Sequence, residues 1–155
     1  MKVFYITNQK DFSKKLFVED VFDNFLVVEA SFVTSHSILI EGNKSSDEET
    51  ADEYVSWSEV KDEAFNVIKG TKLPKSFKIV LKLTSANTES TLKNIGLENI
   101  PGTGLYLNIK YSDGQMNIIT GTSTSSFEIG KELSNGWETL TQKFLKKKEI
   151  EFEEM

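Results

Sequence analysis

The stretch Gly104–Thr122, GLYLNIKYSDGQMNIITGT, decides how the rest of the chain is read. Leu105, Leu107, Ile109 and Tyr111 alternate with Tyr106, Asn108 and Lys110, which is the two-residue period of a strand with one buried face. Asp113-Gly114 then offers the two positive-φ positions of a type I′ turn. A two-residue loop at that point pairs Tyr111 with Met116 and Ile109 with Ile118. Both strands then turn their apolar residues to one face and leave Tyr106, Asn108, Lys110, Asn117 and Ile119 on the other.

Toward the C-terminus, Gly121 to Ser126 is small and polar. A phosphate-cradling nest is conceivable there, but the lysine and glycine spacing of a P-loop is missing, so a bulge or turn into Phe127-Glu128-Ile129 is expected. A last helix is expected from near Asn135, with Glu138 completing a capping box. Leu133, Trp137, Leu140, Phe144 and Leu145 form its stripe, and Lys146 to Lys148 suit the negative end of its dipole. Glu151 to Met155 reads as an acidic tail.

Upstream of the hairpin, Phe77 to Thr84 alternates as a strand and Ser85 to Ile95 reads as a helix closed by Gly96. Thr71 to Ser76, with Pro74, is linker-like. Ser58 is expected to cap a helix through Lys69, ended by Gly70, after a short strand at Tyr54 to Trp57. Asn43 to Glu53 breaks the pattern with a cluster of acids. A solvated loop is expected, since the spacing does not fit a calcium-binding loop. Phe25 to Thr34 and Ser37 to Glu41 read as strands joined by a turn at Ser35-His36. Val3 to Thr7 is a further strand, and Asn8 caps a helix whose stripe is Phe12, Leu16 and Phe17.

The order strand, helix, strand, strand, helix thus occurs twice, over about 2–70 and 76–148. Val3 to Thr7 lines up with Val80 to Thr84, Leu16 with Leu92, Glu41-Gly42 with Thr120-Gly121, and Trp57 with Trp137. The expectation is one α+β domain, 1–155, of two pseudo-repeats: internally duplicated units that form antiparallel sheet packed on one face by helices. Trp57 and Trp137 would occupy equivalent core places at the starts of the two longer helices.

Composition excludes more than it assigns. The 155 residues carry a net charge of −6, and all 18 basic residues are lysines. A chain without arginine lacks the bidentate donor that reads guanine and phosphate, so nucleic-acid partners are not expected. The absence of cysteine removes disulfides, thiolate nucleophiles and cysteine-held metals, and the single histidine, His36, removes any two-histidine site. No metal site and no cofactor are expected. Neither a signal peptide nor a membrane span is evident, so the expected place is the cytoplasm.

The strand and helix at Phe77 to Gly96, of the form L-x-L-T-S-x(6)-L-K-x-I, together with the repeated order of elements, resemble the half-domain of DNA sliding clamps. That resemblance implies a fold. Clamps hold DNA with basic inner helices, whereas here Lys93 is set against Glu89, and Lys10, Lys14 and Lys15 against Asp11. The LVVEAS strand, the SFKIVLKL strand, GLYLNIKY through TGTS and the QKFL helix with its FEE tail also resemble a family of small uncharacterised proteins from clostridia-like bacteria, which implies no activity.

No motif names a chemistry. A non-enzymatic binding or assembly module, with a protein partner or a second copy on the sheet face not covered by helices, is the expected function. The binding candidates are Tyr106, Asn108, Lys110, Asn117, Thr122 and Ser123. The alternatives are a small enzyme using carboxylate, lysine or hydroxyl groups, and a clamp-like nucleic-acid-associated protein. An enzyme would be favoured by a deep cavity lined by Glu29, Lys78 or the 121–126 hydroxyls.

Overall fold

A computed structural model describes residues 1–44, 52–69 and 74–154. The hairpin forms as its residues dictate. Asp113 and Gly114 adopt φ of 52° and 76°, and the register places Tyr111 opposite Met116 and Ile109 opposite Ile118. Its strands are β5 (Gly104–Ser112) and β6 (Gln115–Ser123). Before them come β1 (Val3–Ile6), α1 (Gln9–Phe17), β2 (Leu26–Val33), β3 (Ser37–Glu41), α2 (Trp57–Ile68), β4 (Ser76–Lys82) and α3 (Ser85–Ile95). After them come α4 (Gly130–Lys147) and β7 (Phe152–Glu154).

All seven strands join one antiparallel sheet in the order β3-β2-β4-β5-β6-β1-β7. Fold class is therefore as expected, an α+β domain of antiparallel sheet and helices. The succession strand-helix-strand-strand-helix does occur twice along the chain. The ladders around the two leading strands differ: β4 lies between β2 and β5, whereas β1 lies between β6 and β7.

Side-chain alternation builds the core on a single face. Phe77, Ile79 and Leu81 of β4, Leu105, Leu107 and Ile109 of β5, and Met116 and Ile118 of β6 are all buried, while the residues between them are half-buried or exposed. Leu16, Trp57, Leu92 and Leu145, one from each helix, belong to the same buried cluster. The helices therefore form one layer on that face. Aromatic rings fill much of it. Phe17 packs against Trp57, Phe65 and Phe77, and Phe22 against Phe12, Phe25 and Phe144. The buried Trp57 indole donates to the Leu16 carbonyl at 2.8 Å and so joins α2 to the last turn of α1.

Local signals set several element ends. Asn8 Oδ1 accepts from the Asp11 amide, and Thr84 Oγ1 accepts from the Asn87 amide, each satisfying an orphan donor of a first helical turn. Gly96 closes α3 at φ 88°. Gly70 and most of the acidic stretch 43–53 lie outside the described residues.

Five expectations are corrected. Tyr54 and Ser56 make only isolated bridges, to Asn43 and Leu26, Trp57 already belongs to α2, and Ser56 rather than Ser58 stands at its N-cap. Helix α4 begins at Gly130, so Asn135 is an interior residue, and the Glu138 carboxylate pairs with the Met1 amine instead of capping. Trp137 consequently lies two turns into its helix, whereas Trp57 is the first residue of its own. The acidic tail is in fact strand β7. Its Phe152 ring packs edge-on against Phe4, and that contact, with the ladder to β1, outweighs the local polarity of Glu153 and Glu154.

Candidate functional site

Among the described residues every helix lies on one face of the sheet and none on the other, the bare face, which is partly covered only where Leu26 is buried and the Tyr54 ring lies against Lys82. Strand parity places Tyr106, Asn108 and Lys110 of β5 there, with Asn117 and Ile119 of β6, as their spacing implied. Ser123 shares this face, its hydroxyl 3.5 Å from that of Tyr106. Thr122 does not, since it has the parity of the buried Ile118 and Thr120.

Register adds what the sequence could not show. Lys78 of β4 stands directly opposite Lys110 of β5, and Glu29 of β2 directly opposite Glu41 of β3. Both pairs are on the bare face, because Ile79, Ile109 and Ala30 beside them are buried on the other. Like charges directly opposite on neighbouring strands are destabilising. None of these four side chains takes part in an ion pair among the described residues. Lys82 completes the basic stripe, its ammonium lying 5.8 Å from the Tyr54 ring centroid and 5.7 Å from that of Tyr106. The Asn117 amide oxygen is buried here without a hydrogen-bond partner among the described residues.

The helix layer holds a second feature. Helices α1 and α2 meet through solid aromatic packing, but α3 and α4 do not. They touch where Ile95 lies against Gly136, and a Cβ built on that glycine would come within 2.8 Å of the Ile95 side chain. Away from this contact a cleft of about 560 Å³ lies between them. Sequence explains the difference. Helix α1 carries Phe12 and Phe17, while α3 has no aromatic residue and buries only Thr88 and Leu92. Trp137 lines the cleft and donates to the Tyr106 carbonyl at 2.9 Å, so it is tied to the sheet where Trp57 is tied to a helix. Thr141 also lines the cleft. It is 1% exposed and its hydroxyl has no partner among the described residues, an arrangement that costs about 1–3 kcal/mol.

The features that would favour an enzyme lie elsewhere. Glu29, Lys78 and residues 121–126 do not line this cleft, and His36 is exposed in the β2–β3 turn with its ring beside the Ser35 hydroxyl. No group of three or more His, Cys, Asp or Glu side chains that could hold a metal ion occurs among the described residues. No helix among them is long and apolar enough to cross a membrane.

The molecule is thus a one-layer antiparallel sheet with helices on one side and charged, self-repelling pairs on the other. Its sequence agrees with one family along most of its length: residues 15–153 match the family of unknown function DUF5721, and the chain belongs to that family. No curated protein and no solved structure matches it.

Proposed function

We propose that the protein is a non-enzymatic assembly module of the cytoplasm that pairs with a second copy of itself through the bare sheet face. One observation carries this: the face holds two unneutralised like-charge pairs of opposite sign, Glu29 with Glu41 and Lys78 with Lys110, on adjacent pairs of strands. A two-fold axis parallel to the sheet, lying in the interface and running above the gap between β2 and β4, would set the acidic pair of each copy over the basic pair of the other. Such a contact is self-complementary, as an isologous dimer requires. Half-buried Val80 and Ile119 and exposed Leu39 add apolar area between the charges.

The size of the face fits. Strand spacings of about 4.8 Å and central strands of nine residues give an area on the order of 700 Å². A standard interface buries about 800 Å² per partner. The likeness to sliding-clamp half-domains and the repeat of the two halves enter this reading as fold alone. Duplex DNA is not the partner, because the lysines of this face are balanced by its own glutamates and the chain is acidic.

Sedimentation velocity over a range of concentrations tests the proposal. The native chain is expected to show a reversible monomer–dimer equilibrium that weakens as salt rises, because rim charges are screened. The double variant Lys78→Glu, Lys110→Glu should remain monomeric with an unchanged melting profile. A native chain that is monomeric throughout, or a dimer indifferent to the double variant, would contradict it.

A further inference from the structure

We infer that the cleft between α3 and α4 binds a small ring-bearing anion with the chemistry of a nucleoside monophosphate. Three walls point to that class. On α4, Trp137, Leu140 and Phe144 present apolar and aromatic surface suited to a flat ring. Facing them on α3 are Asn87, Ser90, Thr91 and Asn94, at positions i, i+3, i+4 and i+7. That spacing is where an amphipathic helix ordinarily places its apolar stripe. Here it carries amides and hydroxyls, which both donate and accept, as the edge of a nucleobase demands.

The third wall is charge. Lys147 and Lys148 line the cleft, and among the described residues no carboxylate does, although acidic residues outnumber basic ones by 24 to 18 in the chain. The Ile95–Gly136 contact joins the end of α3 to the early part of α4, so the two helices close at one end. Asn87, in the first turn of α3, lines the same cleft as the lysines at the end of α4. The positive end of the α3 dipole and the two ammonium groups therefore share the region where a phosphate would sit. Asp52 accepts from the Ser85 amide at that helix start but does not line the cleft. Thr141 belongs to the wall of the same cleft, its buried hydroxyl without a partner among the described residues. A volume of about 560 Å³ falls within the range of about 300–1,000 Å³ typical of small-molecule sites.

The test is calorimetric titration of the full chain with AMP, CMP, GMP and UMP in turn. At least one should bind saturably, with a dissociation constant below about 1 mM. The matching nucleoside, lacking phosphate, should bind at least about tenfold more weakly, as should the nucleotide to a Lys147→Gln, Lys148→Gln variant whose melting temperature is unchanged. The Lys78→Glu, Lys110→Glu variant should bind like the native chain, since its changes lie on the opposite face of the sheet. This arm separates failure of the site from failure of self-association. The inference is overturned if none of the four nucleotides saturates, if nucleoside and nucleotide bind alike, if the lysine variant keeps native affinity, or if dodecanoate binds where the nucleotides do not.

Discussion

The two faces of this sheet are made of the same seven strands and are put to opposite uses. On the covered face the central positions are apolar apart from Thr120, and aromatic rings interlock over it. On the bare face the cross-strand neighbours include Lys78 against Lys110 and Glu29 against Glu41, arrangements that oppose the folding of the single chain. A protein meets such a cost only where the opposing effect is small or where something outside the chain relieves it. In the proposed reading, one face supplies stability and the other recognition.

The contrast can be broken first at its strongest point. Trp57 is fully buried, packs on Phe17 and donates to the Leu16 carbonyl. Trp57→Ala should cost about 3–5 kcal/mol in denaturant-induced unfolding, because it leaves a cavity and a bare carbonyl together. A loss below about 1 kcal/mol would mean that the covered face is not what holds the domain together.

A smaller effect is expected where the two faces share a turn. Gly114→Val should destabilise by about 1 kcal/mol or more, since a β-branched side chain is strained at a φ of 76°. Nothing lies within 4 Å of a Cβ built there, so backbone strain is the whole cause. An unchanged thermal midpoint would remove the hairpin as the element that fixes the register of the bare face.

The smallest effect has the opposite sign. Lys110→Glu converts the repelling pair with Lys78 into an attracting one, and the isolated domain should become more stable by about 0.2–1 kcal/mol. Measured at low protein concentration and low salt, destabilisation would show that the lysine pair is not under strain.

What the sequence revealed depended on how local the cause was. The hairpin was legible because Asp113-Gly114 and the alternation on either side of it carry their own register. The same alternation put Tyr106, Asn108, Lys110 and Asn117 on one face. Thr122 was misplaced because a run of small polar residues shows no visible period. The start of α4 was obscured because Gly130-Lys131-Glu132 looks like a turn, and the first buried residue of the helix is Leu133. Strand β7 was hidden by its glutamates, although Phe152 was the available signal. The charge pairs were out of reach altogether. They depend on β4 lying between β2 and β5, an arrangement set by tertiary packing of distant segments. The α3–α4 cleft was hidden for a similar reason, since a polar helical stripe reads as a solvated face until its neighbour is known.

The proposed pairing of bare faces is tested most directly by mixing two charge-reversed chains. One carries Lys78→Glu and Lys110→Glu and has an acidic face, and the other carries Glu29→Lys and Glu41→Lys and has a basic one. Each alone should sediment as a monomer, while an equimolar mixture should form a one-to-one heterodimer that dissociates as salt is raised. Two monomers that ignore each other in the mixture, or either variant dimerising alone as the native chain does, would contradict the account.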